Sequence, residues 1–376
     1  MKINIVGGGP AGLYFAILMK KADPTREINV FERNAPDATF GWGVVFSDKT
    51  LVYVYDSDEP TYHGIVENFQ TWDNVDVVHR GEKITIRGNK FTGIARLRLL
   101  NILQARCAEL DIHPQYGVDI ADPASLADAD LLVGADGINS LVRTRYAEHF
   151  RPDVDARPNR YIWFGTEQLF HGLTLTFRES DAGVFAAHSY KFSPEYSTFI
   201  VECDPETWQQ AGFAERSDDD ARAYLERVFA DDLGGHPLLS NNSKWIRFQL
   251  VKNGHWHHDN VVLLGDALHT AHFSIGSGTK LALEDAIALA KSFDGAPSVR
   301  EALVRFETDR RPIVEALQDA AQVSMEWFEH ARDSMHQTPL ELAYALMTRS
   351  GRIDHEKLRR RDPDFIAAYE QAAAGA

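Results

Sequence analysis

The sequence predicts an α/β fold: a Rossmann-like parallel core, split by an inserted and mostly antiparallel β-sheet domain, with helices at the C-terminus. Three observations predict it. A strand, a Gly-rich turn, a helix and a second strand open the chain at Lys2. Alternating apolar and polar runs fill residues 157–253. A second strand and Gly-rich turn appear after Asn260, followed by long stretches of helical period.

The opening unit is the most informative. "KINIV" reads as a buried parallel strand, "LYFAILMKKA" as an amphipathic helix and "REINVFER" as the next strand. The turn between the first two is GGGPAG, with Gly7, Gly9 and Gly12 in GxGxxG spacing, Pro10 and Ala11 inside it, and Glu32 then Arg33 ending the second strand. One glycine allows the tight turn, one lets backbone approach a pyrophosphate, and one lets helix pack on strand. The acid accepts from ribose hydroxyls. With strand, helix and acid in place, the unit reads as a dinucleotide site rather than a packing turn.

The inserted region follows from "RYIWFGTEQLF", "LTLTFRES", "GVFAAHSYKF" and "YSTFIVEC", which alternate as antiparallel strands do. "DDDARAYLERVFADDL" interrupts them as a helical insert. "NVVLLGDA" then restores the parallel pattern, and the chain from Val299 onward reads mainly helical. The short AYEQAAAGA tail is expected to fray. The expected division is a nucleotide-binding domain from 1–75, 95–156 and 254–320, a substrate domain from 76–94 and 157–253, and a C-terminal helical segment, 321–376.

Composition narrows the function. The 376 residues exceed one ordinary domain, and 44% are apolar, enough for a sizeable core. A formal net charge of −16 argues against nucleic acid as a partner. It leaves room for an anionic small molecule held by a local basic patch. Cys107 and Cys203 cannot build a disulfide framework and fit buried thiols in a reducing cytoplasm. No secretory signal and no apolar run of membrane-spanning length is apparent, so no membrane is expected.

Three separated motifs then line up. GGGPAG with Glu32 is the first. "ADLLVGADGINSLVR", holding Asp136, Gly137, Ser140 and Arg143, is the second, and "GDALHTAHFSIGSGTKLALEDA", holding Gly265 and Asp266, is the third. Their order and spacing resemble the single-component FAD-dependent aromatic hydroxylases with the para-hydroxybenzoate hydroxylase fold, whose FAD-binding domain is of glutathione-reductase type. "GIARLRLLNIL" is similar to the family's helix start, where an arginine, here Arg96, contacts FAD. The resemblance implies that both Gly-rich turns serve one FAD. The first would hold the adenosine side and pyrophosphate. Asp266 would hold the ribityl chain, with Gly276 and Gly278 bringing backbone to the flavin; Trp42, with Gly43 after it, reads as a wall of the flavin or substrate pocket or, equally, as a packing residue. Asp266 also fits a helix N-cap.

"FGWGVVFSD", "NRYIWFGTEQLF", "STFIVEC", "HFSIGSGTKLALEDA", "SMEWFEHA" and "GRIDHEKLRRRDPDF" resemble the salicylyl-CoA 5-hydroxylase branch and the monooxygenase half of 2-aminobenzoyl-CoA monooxygenase/reductase. Several are shared with the violacein-pathway hydroxylase. The chain stops at residue 376 without the reductase's second half, which points to a plain hydroxylase. The branch implies that NADH or NADPH visits transiently, since only one GxGxxG is present. Reduced FAD would take up O2 as a C4a-hydroperoxide and hydroxylate an aromatic CoA thioester, salicylyl-CoA giving the 5-hydroxy (gentisyl) product. A free indolic or phenolic metabolite, or 2-aminobenzoyl-CoA, is the alternative substrate. The assembly would be a monomer or homodimer.

His272, which titrates near neutrality in its ordinary state, is the first candidate for activating the phenol; His188 and Tyr190 follow. Loop shaping and core packing are their bland readings. Phe273 and Lys280 join His272 as possible substrate contacts. His269 with His272, and "GHWHH" with His255, His257 and His258, lack a metal-ligand set; the second reads as a solvated hairpin tip. For CoA phosphates the cationic candidates are Lys357, Arg359, Arg360 and Arg361 in "KLRRR", and Arg157 and Arg160 in "RPNR".

Overall fold

The computed structural model describes residues 1–46 and 48–375, so Ser47 of the FGWGVVFSD stretch lies outside the described residues. The fold is α/β. A six-stranded sheet is ordered His257–His258, Val261–Leu263, Leu131–Gly134, Lys2–Val6, Glu27–Glu32, Gln115–Tyr116. All its pairings are parallel except the His257–His258 edge. Lys2–Val6 sits between the strand that follows it and one that arrives much later. Strand order therefore reverses at its C-terminal end, where open α/β sheets form their ligand crevice.

The helix Pro10–Ala22 is not amphipathic. Every residue from Ala11 to Met19 is buried. The sheet covers one side, and the helices Arg96–Glu109 and Gly278–Ser292 cover others. Only Lys20 and Lys21, in its last turn, reach outward, where cations suit the helix dipole.

The second sheet has eight strands. Leu238–Leu239, Pro152–Thr166, Ser197–Cys203, Gly183–Lys191 and Leu173–Ser180 run antiparallel in that order, and Val75–His79 joins in parallel. Side-chain alternation gives it two faces. On Gly183–Lys191, Phe185 and Ala187 enter the core beneath the Asp218–Val228 insert. Val184 and Ala186 enter the core beneath the C-terminal helices. His188 and Tyr190 have the parity of this second face. On Pro152–Thr166, Ile162 and Phe164 take the insert side, so Asn159, Tyr161 and Trp163 share the face of His188.

The C-terminal part is tied to both sheets. Val299–Glu329 is one helix that continues through residues 320 and 321. Pro363–Gly375 is helical, and Phe365 and Ile366, ahead of the AYEQAAAGA stretch, are buried in the core. Asp362 accepts from the Phe365 N–H and holds its first turn. "GHWHH" is only partly a solvated tip. Trp256 is buried against Phe306, and His258 stacks on His149 at 3.4 Å.

Candidate active site

At the GGGPAG turn each glycine has a separate physical reason. Gly7 has φ +110° and its N–H donates to the Phe31 carbonyl; a Cβ there would lie 2.2 Å from the Ala135 oxygen. A Cβ on Gly12 would lie 2.2 Å from the Gly7 oxygen, so helix and turn touch through backbone. Gly9 differs, because a Cβ would meet no protein atom within 4 Å. Gly7 and Gly12 serve the fold, and Gly9 fronts open space. Glu32 accepts from the Gly8 N–H at 2.8 Å and from Asn34, which sets the carboxylate beside the turn. Arg33 is exposed at the end of that strand.

Helix capping marks the same place. Long helices elsewhere receive side-chain N-caps from Asp58, Ser217, Ser298 and Thr338. Pro10–Ala22, Arg96–Glu109 and Gly278–Ser292 receive none. Their unpaired N–H groups leave a partly positive end for an anion. Gly265 brings the third motif to the first, since its Cβ would stand 2.9 Å from Ala11. A Cβ on Gly278 would again meet nothing within 4 Å, while Gly276 lies along Val45.

Asp266 is exposed in the short turn Gly265–Ala267. It faces a cleft, yet protein packed around it raises its pKa by desolvation; Arg96 and His269 oppose the rise. Arg96 has no carboxylate within ion-pair distance among the described residues. Its own N–H donates to the Trp42 carbonyl. Beneath the turn, Asp285 lies 2.8 Å from His269 Nε2 and accepts from Arg310 Nε at 2.8 Å, all three buried. Arg143, also buried, donates to the carbonyls of Ile138 and Ala267, fastening the second motif to the third. Asp136 accepts from Ser140 and from the Leu141 and Val142 N–H groups, so its carboxylate caps a helix. Gly137, at φ +78°, has no atom near its missing Cβ.

The sheet face opposite this turn is aromatic. Trp42 lies flat on Gly165, near Phe192 and Tyr196. The Tyr190 hydroxyl donates to the Gly43 carbonyl at 2.8 Å, and its ring stacks on Trp72. Tyr190 therefore pins the GWG loop, and burial keeps its hydroxyl protonated. His188 Nε2 stands 3.2 Å from Glu202 Oε2, and Asn159 donates to Oε1. His272 Nε2 faces the same carboxylate at 3.9 Å, and its Nδ1 accepts from the Ser274 N–H, placing its proton on Nε2. Burial lowers the His272 pKa to about 4, against the pull of Glu202. Burial would lift the Glu202 carboxyl, but His188, His272 and Asn159 hold it below its ordinary value.

The two histidines thus share a buried carboxylate behind Phe273, whose ring lies 4.1 Å from His272 and 5.1 Å from His188. Phe273 in turn meets Tyr161 at 4.7 Å. The Tyr161 hydroxyl has no protein partner among the described residues, and the side chain is only half-buried. Its charged neighbours are Asp266, Glu202 and Arg96, so it stands where the turn and the sheet meet. A separate cavity of about 170 Å³ lined by Asn253, Trp256, His269 and Arg311 is bounded by none of the cleft glycines.

Comparison with known proteins decides what this cleft belongs to. The FAD binding domain family matches residues 110–321. Salicyloyl-CoA 5-hydroxylase of a Streptomyces species is 41% identical over 97% of this chain and 72% of that protein. The chain belongs to the FAD-dependent aromatic monooxygenases. A 3-hydroxy-4-methyl-anthranilyl-[aryl-carrier protein] 5-monooxygenase of Streptosporangium sibiricum is 37% identical over 95% of this chain and 97% of that protein. Protodeoxyviolaceinate monooxygenase of Chromobacterium violaceum is 36% identical over 93% and 94%. Solved 2-methyl-3-hydroxypyridine-5-carboxylic acid oxygenase matches the fold with a TM-score of 0.74 at 18% identity, covering 96% of this chain and 98% of that one.

FAD is the cofactor, and the cleft fits it. Open space before Gly9 and Gly278, three uncapped helix ends and an unpaired Arg96 suit a long anionic dinucleotide. Tyr161 escaped the sequence reading although its strand was recognised. Alternation in "RYIWFG" could have separated Tyr161 and Trp163 from Ile162 and Phe164. Of the cationic candidates for CoA, all but the exposed Arg360 are engaged within the protein. Arg359 pairs with Glu356 and Glu370, Lys357 with Asp354, and Arg157 with Asp155 and Glu329. Arg361 donates to Asn89, and Arg160 lies over Trp208.

Proposed function

We propose that this monooxygenase hydroxylates an aromatic acid held as a thioester, salicylyl-CoA to 5-hydroxysalicylyl-CoA, with NADH or NADPH and O2. One observation supports the reading above others. Two relatives, 41% and 37% identical across nearly the whole chain, are named for aryl groups carried on CoA or on a carrier protein. The 36% identity to protodeoxyviolaceinate monooxygenase supports a second reading, a free indolic or phenolic substrate.

Bound FAD supplies the redox chemistry, taking electrons from the nicotinamide and passing one oxygen atom of O2 to the ring. In this proposal the chain's residues bind, orient and exclude water. The Gly9 turn with Pro10, Ala11 and the helix end cradles the pyrophosphate, and Glu32 takes the ribose, with Arg33 beside it. Asp266 and Arg96 flank the ribityl chain. Gly276, Gly278, Gly43 and Trp42 set the walls, with Asp136 and Gly137 shaping the second motif beneath.

Phe273 and Trp163 keep water from the ring, and Tyr161 donates to an acceptor oxygen of the substrate. A phenol that stays protonated is a donor and not a base. His188, Glu202 and His272 are almost wholly buried around one carboxylate, with His188 hydrogen-bonded to it, which favours positioning of Phe273 over direct proton transfer. The test is NAD(P)H oxidation by the FAD-loaded protein. Salicylyl-CoA should accelerate it far more than free salicylate; equal acceleration would remove the thioester from the account.

A further inference from the structure

A CoA thioester brings phosphates, and most cations of the KLRRR and RPNR stretches are engaged within the protein. Other cations, from three separate segments, gather about the start of the Gly278–Ser292 helix. Lys280 lies in the first turn of Gly278–Ser292, beside the flavin-side glycine, with Nζ 3.9 Å from Glu284. Glu284 also accepts from Thr50 at 3.2 Å and pairs with buried Arg310 at 3.2 Å. Thr50 thereby brings the start of the Asp48–Ser57 helix against Lys280, and Lys49 precedes it, exposed.

The third segment comes from the C-terminal part. Arg349 donates to the Ser274 carbonyl at 2.9 Å and to Ser324 at 2.8 Å, so residues after the Pro339–Thr348 helix press on the active-site loop. Gly351, at φ +68°, turns the chain and presents Arg352 at the surface. The charges of Lys49 and Arg352 both act on Lys280. Neither Lys49 nor Arg352 has a carboxylate partner among the described residues. Among the described residues the carboxylate beside Lys280 is Glu284, which is already shared with Arg310. In a chain of net charge −16 the three cations are a local inversion of sign.

We propose that Lys49, Lys280 and Arg352 form a phosphate-binding rim that receives the nucleotide end of a substrate while its aromatic end reaches the flavin. The proposal rests on the thioester reading above. The shared chemistry is a nucleotide phosphate, which CoA and NADPH both carry. The ammonium groups act as point charges, and Arg352 adds a planar fork able to take two phosphate oxygens.

The test uses the FAD-loaded full chain with Lys49→Glu, Arg352→Glu and the double variant. Salicylyl-CoA is compared with salicylyl-pantetheine, which keeps the thioester and lacks the nucleotide, and NADH is compared with NADPH. The double variant should raise KM for salicylyl-CoA roughly tenfold, since charge reversal turns weak attraction into repulsion at each site. Its kcat, and KM for salicylyl-pantetheine, should stay within about twofold of the parent. A rise confined to NADPH would assign the rim to that nucleotide's phosphate. Unchanged KM for both nucleotides, or an equal loss with salicylyl-pantetheine, would overturn the rim. If the parent protein itself fails to prefer thioester over free salicylate, the functional reading fails instead.

Discussion

Replacing His272 with asparagine should remove part of the protein's acid sensitivity. The imidazole is 2% exposed, and burial brings its pKa from an ordinary 6.5 to about 4. Glu202 pulls the other way, while His188, Arg349 and Arg157 add to the depression. Between those two values the unfolded chain binds a proton that the folded chain does not. The stability associated with neutral His272 is therefore complete above about pH 6.5 and is lost as pH falls towards 4. At 1.36 kcal/mol per pKa unit the interval corresponds to about 3 kcal/mol in full, and to about 2 kcal/mol at pH 5. Asparagine keeps an acceptor for the Ser274 N–H and cannot titrate. Urea unfolding of FAD-loaded parent and His272→Asn at pH 8 and pH 5 isolates the effect, because other groups titrate in both. The parent should lose about 2 kcal/mol more than the variant over that range. Equal losses would show that His272 is not held neutral by its site.

The two glycines of the first turn should separate fold from cofactor. Gly9→Val should leave folding intact and weaken FAD binding roughly tenfold or more, while Gly12→Ala should cost about 1–3 kcal/mol of stability; melting and flavin titration distinguish them. Asp266→Ala should weaken FAD retention by about ten- to a hundredfold through lost charged hydrogen bonds, measured by flavin release; unchanged affinity would remove it from the ribityl site. Tyr161→Phe should bind FAD normally yet divert NAD(P)H oxidation to hydrogen peroxide. Full coupling of oxidation to product would place the hydroxyl outside the substrate's reach.

Local constraints were legible in the sequence. GGGPAG could be read because the positive φ of Gly7 and the contact of Gly12 with the Gly7 carbonyl are demands made within one βαβ unit. The sheet parity that puts His188 with Tyr190 follows from alternation alone. What stands opposite a strand was not legible. Phe273 comes from a distant part of the chain, and only packing shows that it closes over His188 and the Glu202 of the neighbouring strand. "LYFAILMKKA" looked amphipathic because its two lysines lie at one end, whereas neighbours on several sides bury the rest. The basic run at Lys357–Arg361 suggested phosphates, but Asp354 and Glu356 stand three residues before Lys357 and Arg359, the spacing at which helical ion pairs form. Arg352, with no such partner, gave no sequence signal. Its place depends on Arg349 docking onto Ser274.

The central claim is that this FAD-dependent monooxygenase puts oxygen into the ring of an aryl thioester. Its most direct test is turnover of salicylyl-CoA under 18O2, with mass analysis of the intact thioester. One 18O atom should appear in a ring hydroxyl of the CoA product, with one product formed per NAD(P)H consumed. NAD(P)H oxidation that yields labelled peroxide and unaltered salicylyl-CoA would contradict it.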